Sequence, residues 1–362
     1  MSRRRKVLSG LGLALSLPLI LVIITRLYGH LPGAVETLPE TNVNKRKIET
    51  NTDISLISWN IQYAGSRKHH FFYDGGEAVR VPLEDVSSSL EQIRQVLAQE
   101  GTDIALLQEI DRFSDRTQKV DQMDELRQFR KDLNWTIAPY HKVPYVPTPS
   151  HEHLGRVNLN LGILSAFTLQ ESTRYQLALL DEPAWRQYFN LKRAILESSI
   201  GIANSDNKLK VAVTHLSAFS KGDGTLAKQV QRIKEWMESQ PEDQPWILAG
   251  DFNLLPPEDN PERLGDDGSL YADKENPITR LLPQFPNAFP DVLDNRNRTY
   301  LPFGAKDPDR KIDYIFYGGP IEIKQAIVLR GQSHISDHLP LKIVFQVRGE
   351  DQKASEEIPA AE

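Results

Sequence analysis

Apolar residues along this chain fall into short runs or alternations, and several of these end on a polar cluster. Residues 54–60 alternate between polar neighbours, which predicts a strand. Val86, Leu90, Ile93 and Leu97 recur at helical spacing and Gly101 follows, so residues 84–100 predict an amphipathic helix. A short buried strand over 104–107 runs directly into Gln108-Glu109. Further strands are expected at 161–165, 194–200 and 209–214. Leu226, Val230, Ile233 and Met237 mark a second amphipathic helix, with Asp223 or Thr225 as its cap. Strands at 246–249, 312–317, 321–329 and 339–347 complete the pattern. Many strands with few interposed helices predict two packed sheets flanked by helices. No break divides them, so residues 51–348 are expected to share one core.

Composition adds one exception to an ordinary globular chain of 40% hydrophobic and 25% charged residues. Arg3, Arg4, Arg5 and Lys6 precede an uncharged run, residues 7–25, that ends at Arg26. As a helix this run spans about 28 Å, close to the hydrocarbon thickness of a bilayer. The basic flank favours the cytoplasmic side, which places the remainder outside, periplasmic or extracellular. Residues 1–26 are therefore read as a transmembrane signal anchor. A cleaved signal peptide, giving a secreted protein, is the competing reading, but no small-x-small site follows the run. Residues 27–50 lack periodicity and are expected to be a linker; residues 349–362 are acidic and expected to be a disordered tail.

Two exclusions follow. The chain has no cysteine, which removes a disulfide scaffold and a thiolate zinc site. Residues 27–362 hold 38 basic and 49 acidic side chains, a net charge of −11. Such a surface is a poor non-specific partner for nucleic acid.

The polar clusters at the strand ends carry the chemistry. Glu109 closes a buried strand, where a carboxylate is placed to bind Mg²⁺, a cation that takes oxygen ligands. Asn60 holds the same position after the first strand. In Gly250-Asp251-Phe252-Asn253, the glycine is expected to let the chain turn, and Asp251 and Asn253, two apart in extended geometry, to point into one site. His338 follows Asp337 at the edge of the last strand and suits proton transfer near neutral pH. Asp313 is the expected carboxylate partner of His338, leaving Asp337 to face the metal. His215 ends another strand. Milder readings cover His69-His70 and His151-Glu152-His153, taken as solvated loop histidines, and the charged stretch from Asp111 to Asp121, taken as a solvated loop. Loops near 65–80 and 139–160 are expected to shape a substrate pocket.

Together these clusters resemble the endonuclease/exonuclease/phosphatase superfamily, which includes DNase I-like nucleases, inositol-polyphosphate phosphatases and neutral sphingomyelinases. The resemblance spans roughly residues 53–347, with Gly-Asp-Phe-Asn and Ser336-Asp337-His338 its most specific parts. It implies an α+β fold, a four-layer αββα sandwich, using a divalent cation, usually Mg²⁺, with Mn²⁺ or Ca²⁺ as alternatives. On this resemblance Glu109, Asn60 and Asp337 serve the metal, and Asp251 and Asn253 orient the water and the scissile phosphate. His338 with Asp313 is the acid–base pair, His215 the second histidine, and Arg193 the phosphate-binding arginine. The expected activity is metal-dependent phosphodiester hydrolysis, on a lipid head group or a small phosphoester outside the cytoplasmic membrane. A DNase I-like endonuclease is the alternative, disfavoured by charge, and a non-catalytic tethered binding module is the rival from another class. No protein partner is expected.

Overall fold

A computed structural model of the chain describes residues 29–218, 223–271 and 275–349. Its strands are β1 (Val35–Thr37), β2 (Ile54–Asn60), β3 (Ile104–Asp111), β4 (Asn134–Val146), β5 (Gly155–Ser165), β6 (Leu169–Gln176), β7 (Ala194–Gly201), β8 (Lys208–His215), β9 (Trp246–Asp251), β10 (Asp313–Gly318), β11 (Ile321–Val328) and β12 (Leu341–Val347). Helices α1 (Leu83–Gln99), α2 (Gln122–Leu126), α3 (Ala184–Phe189) and α4 (Thr225–Glu238) lie between them. One six-stranded sheet has the order β1-β6-β7-β8-β9-β10, the other β11-β12-β2-β3-β5-β4. Among these strands only β2–β3 and β8–β9 pair in parallel. The sheets face each other, with β2, β3 and β5 against β8 and β9. This arrangement of two mixed sheets with helices is consistent with the expected α+β sandwich.

Both amphipathic helices bury the faces their spacing predicts. Val86, Leu90, Ile93 and Leu97 of α1 join the larger core. Leu226, Val230, Ile233 and Met237 of α4 cover Ala212, Trp246, Leu248 and Phe316 on the other sheet. The Asp223 side chain accepts from Thr225 N (2.8 Å) to start α4.

Three segments differ from their expectation. Residues 29–50 lie along the domain rather than away from it: β1 pairs with β6, Ile48 is fully buried, and the Asn42 amide both donates to and accepts from the Leu169 backbone (2.9 and 3.0 Å). Backbone bonds and single anchors of this kind leave no periodic trace. The expected loop at 139–160 is largely the β4–β5 hairpin. In β4 the inward positions include Asn134 and Thr136 while Trp135 and Ile137 face outward, so polarity does not follow burial. β6 buries Ser172 and Arg174, which hides it in the same way. Residues 1–26 and nearly all of the expected tail fall outside the described residues. Among the described residues no helix is long and apolar enough to cross a membrane.

Gly250 sits inside β9, not at a turn. Its φ is 153°, and a Cβ there would stand 2.0 Å from the Thr214 carbonyl oxygen of the parallel neighbour β8. Glycine thus lets the ends of β8 and β9 lie side by side. Gly250→Ala is expected to cost about 3 kcal/mol of stability, read as a lower urea midpoint with unchanged slope. A variant as stable as the parent would remove this reason for the glycine.

Candidate functional site

All the predicted site residues converge on one end of the sandwich. In the first sheet the register places His215 opposite Asp251 and Asp251 opposite Asp313, three side chains in one row across β8, β9 and β10. The second sheet supplies Asn60 at the end of β2, paired with Gln108 on β3. Register then slips between Leu107 and Ile110, and Glu109 in this bulge takes a left-handed φ of 62°. A bulge re-aims a side chain, and here it presents Glu109 to the cleft instead of the core. His338 is seated by its carbonyl, which accepts from Trp59 Nε1 (2.8 Å), while Ser336 Oγ donates to the Asn60 carbonyl (2.8 Å).

Contacts within the row are close. His338 Nδ1 lies 2.9 Å from Asp313 Oδ2 and its Nε2 3.5 Å from Asp251 Oδ2. His215 Nε2 is 3.3 Å from the same Asp251 oxygen. Asn60 Nδ2 donates to Asp251 Oδ2 (3.1 Å) and Glu109 Oε1 (3.3 Å), bridging the two sheets. The environments drive the two histidines apart. Burial, then the positive charges of Arg193 and His338, hold His215 well below the ordinary imidazole range. Burial also opposes charge on His338, but Asp313 and Asp251 outweigh it and raise the group. One imidazole is neutral and the other cationic, the pattern that separates proton donor from acceptor roles.

Oxygen donors here fit a hard cation. Burial foremost raises Glu109, with Asp337 adding like charge, and burial likewise raises Asp337. Each has sparse partners: Glu109 meets Asn60 and, at 3.8 Å, His215, while Asp337 Oδ1 meets Ser336 Oγ at 3.2 Å. Carboxylates so poorly compensated in a cleft are what a divalent ion with oxygen preference relieves. Ligand atoms of Asp251, Asp313 and His338 also lie within 4.8 Å of one another. Asp313 is already committed to His338 Nδ1, so that trio is better read as a proton-handling group with Asp251 at its open end.

Arg193, just before β7, is 8% exposed and stacks its guanidinium over Tyr140 (5.2 Å). Its Nη1 is buried with no hydrogen-bond partner, a cationic donor awaiting an anion. Asn253 departs from the extended geometry expected of it. Its φ is 51°, its N–H caps Asp251 Oδ1 (2.9 Å), and its Nδ2 donates to the Leu216 carbonyl (3.1 Å), so it braces the loop after His215.

The stretch from Asp111 to Asp121 is not a solvated loop. Arg116 makes a two-pronged ion pair with the fully buried Asp111 (2.7 and 3.0 Å) and lies 3.7 Å from the centre of the Tyr63 ring, at the cleft wall. Nothing in the sequence singles out Tyr63; Arg116 falls in the charged stretch and Tyr140 in a segment expected to shape the pocket. His69 bonds Asp85 (2.9 Å), His151 donates to the Glu77 carbonyl (3.1 Å) and His153 meets Tyr145; they do not gather into a site. The cleft, about 430 Å³, is bordered by Phe72 and Tyr73 from the 65–80 region and by His141, Leu154 and Leu159 from the 139–160 region.

The family described as Endonuclease/Exonuclease/phosphatase matches residues 57–338. No curated protein matches the chain. Among solved structures it is similar to an endonuclease/exonuclease/phosphatase from Beutenbergia cavernae DSM 12333, at 18% identity and a TM-score of 0.55, over 84% of this chain and 72% of that one. It is also similar to a mannosyl-6-phosphatase of Bacteroides thetaiotaomicron VPI-5482, at 15% identity and 0.51, over 81% and 99%. A third is D. rerio TDP2 complexed with a single-strand DNA product, at 15% identity and 0.50, over 82% and 100%. At these identities the likeness carries the fold alone.

Cation binding should depend on pH with a definite sign. Glu109 and Asp337 titrate above the ordinary carboxylate range, and a cation requires them ionised, so affinity for Mg²⁺ falls as pH drops through their raised values. Calorimetry in buffers of different ionisation enthalpy should show proton release below neutrality. Glu109→Gln is expected to weaken binding about tenfold or more and to flatten the pH dependence. An affinity constant from pH 5 to 8 would contradict this site.

Proposed function

The chain belongs to the endonuclease/exonuclease/phosphatase family, and from that premise we propose that it is a divalent-metal-dependent phosphoester hydrolase acting on a diester. The single observation that carries this reading is the buried row His215–Asp251–His338–Asp313, with the unpartnered Arg193 Nη1 lining the same cleft. Water attacks phosphorus, the ester P–O bond breaks, and the leaving oxygen takes a proton. Asp251, between two imidazoles, orients the water and draws its proton, while the His338 imidazolium, held by Asp313, gives a proton to the leaving oxygen and recovers one from Asp251, 3.5 Å away. His215, kept neutral, donates a hydrogen bond toward a phosphoryl oxygen, and Arg193 holds an equatorial oxygen as charge builds. Asn253 keeps Asp251 aimed. When bound at Glu109, Asn60 and Asp337, Mg²⁺ (or Mn²⁺ or Ca²⁺) supplies positive charge to a phosphoryl oxygen.

The substrate we favour is a lipid head group or a small phosphoester. An acidic domain of net charge −11 supports that choice over a nucleic acid, although DNA nicking remains the alternative to be measured beside it. The uncharged run 7–25 with its basic flank supports a membrane-anchored protein whose catalytic domain lies outside the cytoplasm, or a secreted one after cleavage. Competent side chains at every position of the row weigh against a non-catalytic binding module.

With a soluble p-nitrophenyl phosphodiester, chelation should abolish turnover and Mg²⁺ restore it. Glu109→Ala and His338→Ala should each lower kcat by about 10²–10⁴-fold with the folded fraction almost unchanged. Near-normal activity of purified His338→Ala would remove the mechanism. Asp313→Asn should lower kcat without raising KM, because it acts through His338.

A further inference from the structure

Beside its catalytic row the cleft has an apolar side, while Asp74, Asp267 and Arg310 border it as well. Phe72, Leu154, Leu159, Leu180, Leu191 and Leu270 line it. The segments that supply this lining also carry large side chains exposed to solvent. Trp185 on α3 is 66% exposed, Tyr145 near the end of β4 is 48% exposed, and Leu270 is 45% exposed. α3 is joined to the cleft wall, since His141 Nε2 donates to the Phe189 carbonyl (2.8 Å) and Leu180 and Leu191 flank the helix on either side. An exposed Trp and Tyr beside an apolar entrance is the composition of an interfacial belt.

The path of the chain supplies the second observation. His30 N donates to the Lys142 carbonyl (2.9 Å), so the described chain starts on β4, one residue beyond the cleft-lining His141 and three before Tyr145. Thr25, the last residue of the uncharged run, precedes His30 by five positions. Five residues reach at most about 17 Å, less than the radius of a domain this size, about 25 Å. A membrane-embedded run would therefore hold the β4 side of the domain, and with it the cleft mouth, toward the lipid.

We propose that the rim formed by Trp185, Tyr145 and Leu270 seats on the surface of a zwitterionic lipid bilayer, and that the phosphoester hydrolysed is the head group of an amphiphile drawn from that bilayer into the apolar cleft. This rests on the hydrolase reading above. The attraction is apolar insertion, because an acidic domain gains little from anionic lipid. It is consequently insensitive to salt.

The test uses the full chain reconstituted in phosphatidylcholine vesicles with Mg²⁺. Two substrates share a leaving group: p-nitrophenyl hexadecyl phosphate held in the bilayer and p-nitrophenyl methyl phosphate in solution. The double variant Trp185→Ser/Tyr145→Ser should lose about tenfold on the bilayer substrate and nothing on the soluble one. Brominated acyl chains should quench the Trp185 emission, taken as wild type minus Trp185→Phe. Equal losses on both substrates, or no loss on either, would overturn the docking. A rise in soluble turnover would also overturn it, by showing that residues 7–25 of the same chain cover the rim. Absence of soluble hydrolysis by the wild type would sink the hydrolase reading instead, and quenching would then decide the docking by itself.

Discussion

The hydrogen bond from Asn60 to Asp251 ties the site together, because it joins the end of β2 in one sheet to the end of β9 in the other. Several other groups meet at that junction. Asp251 receives His215 and His338 on the same oxygen, and Asn60 also reaches Glu109. A strand slipped by one residue in its sheet would turn its site residue to the opposite face, since alternate residues face opposite sides. The site therefore depends on the packing of two sheets as much as on the residues themselves.

Gathering so many carboxylates in a cleft opposes stability. Glu109, Asp251 and Asp337 are each pushed by burial toward their neutral forms, and a bulge with a left-handed Glu109 adds local strain. The surrounding structure compensates with paired charges, Asp111 with Arg116 and His338 with Asp313. What is left, the sparsely partnered Glu109 and Asp337 carboxylates and the unpartnered Arg193 Nη1, is of the kind that a cation and an anionic phosphoester complete. Unsatisfied polarity and candidate chemistry coincide.

The cleft wall also carries apolar side chains. α3 and the β4–β5 hairpin extend the cleft wall outward, and the entry of the chain at His30 lies on that hairpin. The proposed bilayer contact would thus be separable from the row of polar groups.

Much of the site was legible in the sequence, because residues that bound an apolar run fall near a sheet end: Asn60, Glu109, His215 and Asp251 close such runs and His338 precedes one. The helices over 83–99 and 225–238 were legible from their apolar spacing. Local pattern could not reveal β4 and β6, whose buried faces hold Asn134, Thr136, Ser172 and Arg174, nor the packed course of residues 29–50. It misplaced Gly250 as a turn residue, since the demand on it comes from Thr214 on another strand. Arg116 read as surface charge because its partners, Asp111 and the Tyr63 ring, are met only after folding. The sequence by itself determined which residue types stand at the strand ends and hence the class of chemistry. The tertiary structure alone decided which of them meet, how burial sets their charge and what apolar wall surrounds them, because register, desolvation and cleft shape arise only when distant segments pack.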